Sequence, residues 1–157
     1  MKKIKSTLAV LGLLVLGFAS CKKDDDKTVR EDVVSSKMTF KLDGTSKTST
    51  ILVAAVDEEN EDGLGISGNL GNGETLTIVF SELDGAREYD LEEDDVALVY
   101  ANGTAANNVY SAESGKVKIT SITNSEVKGT FQAVVTNIQD ASKTVTEGKF
   151  DAKILND

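Results

Sequence analysis

The chain of 157 residues has no histidine, no tryptophan, no proline and a single cysteine. Without His there is no Ser-His-Asp or Cys-His catalytic machinery and no imidazole metal ligand. One Cys excludes an intramolecular disulfide, a Cys-rich zinc site and a CxxC redox pair. Basic residues are also scarce, with 17 Lys and Arg against 26 Asp and Glu, a formal charge of −9. Binding to phosphates needs clustered cations, so nucleic acid is not an expected partner. What is present, 39% hydrophobic and 27% charged residues, suits one soluble domain.

The N-terminus reads as an address. Lys2, Lys3 and Lys5 precede an apolar stretch of eleven residues, 8–18, and then come the small residues Ala19 and Ser20 before Cys21. A basic end, a short apolar centre and small residues at a cleavage point are the three zones of a secretory signal. At 1.5 Å per residue the apolar stretch covers roughly 16 Å, too short to span a bilayer. Its halt at the single Cys resembles a bacterial lipoprotein signal, in which the thiol is joined to diacylglycerol and the Cys becomes the mature N-terminus. The resemblance implies removal of residues 1–20 and acyl chains, palmitate among them, carried by Cys21. A lone thiol would be a liability in an oxidising compartment, and thioether formation removes it. Each buried methylene contributes about 0.8 kcal/mol, so two or three chains hold where one leaks. The expected location is the outer membrane, with the membrane itself as partner through the N-terminal lipid.

Lys22, Lys23, Asp24, Asp25 and Asp26 follow directly. A basic and then acidic run after the lipidated Cys resembles the surface-export tag of Bacteroidota lipoproteins, which implies display on the cell surface. Read as a charge run alone, it is a solvated spacer. Residues 21–36 are expected to form a flexible tether with a span of about 20 Å.

The remainder, 37–157, has period two. Met38, Phe40 and Leu42 alternate with polar residues, and residues 50–56 are apolar on both faces, as in a central or doubly covered strand. Asn72-Gly73, between the rows Leu64, Ile66, Leu70 and Leu76, Ile78, Phe80, signals a tight hairpin. Residues 84–95 break the regularity, and short strands are expected at 97–101 and 109–112. Val117 and Ile119, then Val127, Phe131, Ala133 and Val135, then Phe150, Ala152 and Ile154 point inward. Val145 lies in the opposite parity to Phe150, which predicts a β-bulge near Gly148. The expected fold is all-β, a single antiparallel β-sandwich or flattened barrel of about nine short strands.

Three segments carry a further resemblance. Gly115, Val117, Ile119 and Thr120, then Gly129, Thr130 and Phe131, then Val145, Thr146, Gly148 and Phe150 form a progression found in a family of small Bacteroidota lipoproteins of unknown function; Tyr89 and Leu91 fit its mid-chain Y-x-L. The resemblance implies fold and location and transfers no catalytic residue.

Carboxylates are unevenly placed, with fifteen against the single base Arg87 between residues 48 and 115, whereas residues 116–157 hold six Lys and five acids. Two turns concentrate them, Asp57, Glu59, Glu61 and Asp62 in one and Glu92, Glu93, Asp94 and Asp95 in the other. Oxygens from such loops are the ligand type for Ca²⁺, and no other cofactor is expected. An EF-hand is rejected, because its twelfth position would be Asn69 and Gly65 replaces an apolar residue. As solvated turns, the same residues keep the protein soluble and sheet edges unpaired. A sugar platform lacks Trp, and the four Phe of the mature chain read as core. Catalysis is not expected, because the acids cluster in turns away from inward positions where burial shifts pKa values. The expected role is a non-enzymatic binding or structural accessory module, its protein or glycan partner unknown. The alternatives are a Ca²⁺-dependent module or a carrier of a small apolar ligand, the latter suggested by Ala54, Gly68 and Gly129 on inward rows.

Overall fold

The computed structural model describes residues 36–56 and 63–155. Cys21, the run Lys22, Lys23, Asp24, Asp25, Asp26, and the turn Asp57, Glu59, Glu61, Asp62 lie outside the described residues. The strands in chain order are β1 (Lys37–Leu42), β2 (Thr45–Thr48), β3 (Ile51–Val56), β4 (Leu64–Gly71), β5 (Glu74–Phe80), β6 (Glu88–Asp90), β7 (Val96–Asn102), β8 (Val109–Ile122), β9 (Glu126–Thr136) and β10 (Ser142–Leu155). One 3-10 turn, Ala106–Asn108, precedes β8. The fold is all-β, and the choice between sandwich and barrel falls to the barrel: β10, β3, β4, β5, β7, β8 and β9 pair in a ring of seven.

The remaining strands are accommodated by length. β8 and β10 are each 14 residues long, so one edge can serve two neighbours. Along β8, residues 109–111 pair with β7 and residues 116–118 with β6. Along β10, Val145 to Asp151 pair with β1, and Ile154 and Leu155 pair with β3.

The β3–β10 pairing is parallel, and every other pairing among the described residues is antiparallel. The exception has a local cause. β1 turns back at Asp43 and Gly44 into β2, whose direction therefore matches β10. At Ser49 the chain passes the first residues of β1 and continues as β3, which meets β10 directly. Ser49 is 8% exposed and holds this corner: its N–H donates to the Met38 carbonyl at 2.8 Å, and its Oγ accepts from the Met38 N–H at 2.8 Å. The next N–H, on Thr50, donates to the Asn69 carbonyl at 2.7 Å and starts the pairing with β4.

The core follows the expected parity. Phe40, Phe80, Phe131 and Phe150 are buried, with Phe131 between Phe40 (centroids 5.9 Å apart) and Phe150 (6.2 Å). Tyr100 points inward and leaves Ala97, Val99 and Ala101 outward; burial, with the Glu74 carboxylate beside it, pushes its phenol up to about 12. The bulge falls where the parity change placed it. Val145 pairs with Ala133, the register slips, and Gly148 pairs with Phe131. Glu147 takes the extra position at φ 54°, and a Cβ on Gly148 would lie 2.5 Å from the Phe131 carbonyl oxygen.

Besides the parallel pair, the strands among the described residues number ten against about nine expected, and β3 is covered on one face only, with Val53 and Val56 exposed; two further expectations change. The strand at 109–112 and the inward pair Val117 and Ile119 belong to one strand, β8, kept continuous by a bulge between Ala112 and Ser114. The irregular stretch 84–95 contains β6, held because Tyr89 is 1% exposed, packs edge-on against Phe80 at 5.0 Å and donates its hydroxyl to the Gly85 carbonyl.

Replacing Ser49 with Ala keeps the corner's backbone bond and leaves the buried Met38 N–H without its acceptor. Urea denaturation of Ser49→Ala should show a loss of about 1–3 kcal/mol. A loss within experimental error would mean that the corner does not depend on the hydroxyl.

Candidate functional site

Of the two acidic turns, the one between β6 and β7 is described. Its central residue is Asp94. One carboxylate oxygen accepts from Arg87 Nη2 at 3.2 Å, the other from the Asp90 N–H at 2.7 Å. Asp90 in turn accepts from the Glu92 N–H at 2.9 Å. The Arg87 guanidinium lies 3.8 Å from the centre of the Tyr89 ring, within cation–π range. The Asp94 carboxylate thus serves the turn itself. Glu92, Glu93 and Asp95 are exposed, and among the described residues no three acidic side chains converge as metal ligands.

A different surface brings cations together. On β8, β9, β10 and β1 the outward positions alternate with the apolar inward rows. Lys116 and Lys118 stand on β8, Lys128 and Thr130 on β9, Lys149 and Lys153 on β10, Lys37 and Thr39 on β1. The register lines up Lys118, Thr130, Lys149 and Thr39 across four strands. Neighbouring strands lie about 4.8 Å apart, so Lys118 and Lys149, two strands apart, bracket Thr130 at a backbone separation of about 10 Å.

This face carries two depressions. Bulges between Thr39 and Lys41, between Ile119 and Ser121 and between Val145 and Gly148 add twist and bend the strands around it. Short threonines in the middle and long lysines at the sides deepen the groove. One cavity of 550 Å³ includes Lys118, Gln132 and Glu147; a second, of 400 Å³, includes Lys37, Thr120 and Lys128; both contain Thr39, Thr130 and Lys149. They form one trough.

Charges within the trough are only partly matched. Lys116 reaches Glu88 at 2.6 Å, Lys41 reaches Glu147 at 2.7 Å, and Lys128 reaches Asp151 at 2.9 Å. The hydrogen bond to Glu88 holds the Lys116 ammonium above its ordinary pKa, and that to Asp151 does the same for Lys128. Such exposed pairs stabilise the fold little. Lys37, Lys118, Lys149 and Lys153 have no carboxylate within ion-pair distance among the described residues. Elsewhere Lys47, Arg87 and Lys143 are each paired with an acid.

Sequence reasoning weighed the acidic turns and passed over this face. The available signal was the excess of Lys after residue 116, at alternating positions. What hid it was the contribution of β1, roughly eighty residues earlier, which joins through pairing with β10.

A family model described as a domain of unknown function (DUF6252) matches residues 35–152. No curated protein and no solved structure matches the chain.

The acidic turn has a pH signature. The Arg87 hydrogen bond, then the Asp90 N–H, hold the Asp94 carboxyl below its ordinary pKa; the Thr144 N–H, then Lys143, do so for Asp43. A carboxyl with a lowered folded pKa stabilises the fold above its unfolded value and stops doing so as pH falls through the folded one. The melting temperature should therefore drop between about pH 5 and pH 2. Asp94→Asn should melt lower at neutral pH and lose less on acidification. An unchanged gap between neutral and acid melting temperatures would separate Asp94 from the effect.

Proposed function

The chain belongs to this family of unknown function, and from that premise we propose that it is an extracytoplasmic lipoprotein, anchored through Cys21, that works as a non-enzymatic binding or accessory module. One observation supports placing its working surface outside the barrel: at two inward glycines, neighbouring side chains fill the interior. The space left by Gly68 is taken by the Met38 sulfur, 3.1 Å from where a Cβ would stand, and that left by Gly129 by the Phe150 ring at 2.4 Å. The inward glycines thus serve close packing, which weighs against a carrier of a small apolar ligand.

The buried polar residues among those described are Ser49 and Asn137, and both are engaged in holding backbone. Asn137 donates to the Asn107 carbonyl at 2.6 Å and accepts from the N–H groups of Gln139 and Ala141 at 3.0 Å. The described carboxylates stand on the surface, several in ion pairs, which supports a binding role over acid–base chemistry.

The anchor rests on the signal that ends at Cys21. In Cys21→Ser the protein should leave the membrane pellet and lose incorporation of labelled palmitate, while circular dichroism stays that of a β protein. Retention in the pellet would overturn the anchor. Surface display rests on Lys22, Lys23, Asp24, Asp25 and Asp26. Protease treatment of intact cells should degrade the wild-type domain and spare a variant with Asp24, Asp25 and Asp26 changed to Ala. Equal degradation would remove that role from the acidic run.

A further inference from the structure

The four lysines without a carboxylate partner among the described residues stand on one face of a chain whose formal charge is −9. That distribution sets the face apart from the rest of the barrel. The outward residues of β3, β4, β5 and β7 include Val53, Ala55, Ser67, Thr77, Val79 and Val99, all uncharged. The carboxylate-rich turn containing Glu92, Glu93, Asp94 and Asp95 lies between β6 and β7. In the trough Lys37, Lys116, Lys118, Lys128 and Lys149 outnumber Glu88, Glu147 and Asp151, which gives it a net positive charge.

We propose that the trough floored by Thr39 and Thr130 and walled by Lys118 and Lys149 binds a segment of an acidic polysaccharide, with carboxylate or sulfate groups set against the two lysines. The inference rests on the reading of the protein as a binding module and names its ligand class. Four features of the site favour this class. The trough is made of two contiguous cavities, so a chain can run through it. Its floor offers the Thr39 and Thr130 hydroxyls, and Gln132 adds an amide; these can exchange hydrogen bonds with sugar hydroxyls. β1, β8, β9 and β10, which carry the floor and walls, have partners on both edges at this level, so an acidic peptide could add a strand to none of them. Glu88 stands beside Lys118, and Glu147 and Asp151 lie two residues before and after Lys149, an arrangement that suits spaced anionic groups and repels the dense phosphates of a nucleic-acid duplex.

The test uses the full-length protein in neutral phosphatidylcholine vesicles, with polygalacturonate as the carboxylate probe, dextran sulfate as the sulfate probe and plain dextran as the neutral control. Binding to at least one acidic polymer and not to dextran is expected, weakening as salt rises. The double variant Lys118→Glu, Lys149→Glu should lose affinity at least tenfold. Lys118→Arg, Lys149→Arg should keep it, and Lys143→Ala, which removes a cation outside the trough, should bind like the wild type. Both lysines are exposed, so unchanged circular dichroism and melting temperature should show that the double variants are folded. The two acidic probes separate the carboxylate from the sulfate source. The proposal is overturned by failure to bind either acidic polymer at low salt, by equal binding to dextran, or by equal losses in Lys143→Ala and the double glutamate variant. Preferential binding to duplex DNA or to phosphatidylglycerol vesicles would also overturn it. A protein that stays anchored through Cys21 and binds neither polymer defeats this inference alone; release from the membrane with binding intact defeats the anchor alone.

Discussion

Closure of the barrel depends on two residue pairs, Ile154 with Ala54 and Leu155 with Ala55, and these depend on the corner at Ser49. β2 lies two strands from β10, with β1 between them. β3 continues the same direction and touches β10, because β10 runs past the first residue of β1. The chain must change neighbours within two residues, Ser49 and Thr50, and each change exposes backbone donors that a buried site cannot leave unpaired. The Ser49 hydroxyl and the Thr50 N–H take up those bonds with Met38 and Asn69. The parallel pairing is thus a consequence of a hairpin that ends early beside a strand that runs on.

The same long strand shapes the outer surface. β10 needs a bulge to keep both Val145 and Phe150 in the core, and the bulge places Glu147 at a positive φ and bends the sheet. Alternation puts lysines and threonines on the outward face of β8, β9, β10 and β1, and their unequal lengths leave the trough there. Packing inside and the trough outside are two faces of one arrangement. Gly148 belongs to both: it leaves room for Phe131 within and sits in the wall of the larger cavity.

Much of the strand pattern was legible because it is local. Asn72 and Gly73 both adopt positive φ, at 52° and 79°, and the hairpin between β4 and β5 follows from that pair and its alternating flanks. The buried phenylalanines and the bulge at Gly148 were legible from parity alone. β6 was not, because three residues carry too little alternation and its stability comes from Tyr89 lodging against Phe80. The continuity of β8 was hidden by the extra residue between Ala112 and Ser114, which breaks the period without ending the strand. The acidic turn drew attention as a dense run of oxygens, yet Arg87, seven residues before Asp94, claims its central carboxylate.

By itself the sequence determined the class of fold, the membership of the core and the charge on each strand, since these follow from alternation, turn chemistry and composition over a few residues. It also carries the N-terminal pattern ending at Cys21, on which the proposed anchor rests. Tertiary structure alone decided that the sheet closes into a barrel, that β3 meets β10 in parallel, and that Lys37, Lys118 and Lys149 share one trough. Those outcomes depend on register between strands separated by many tens of residues. Register is set by how bulges, corners and packed rings fit together in three dimensions, and no short window of sequence contains that fit.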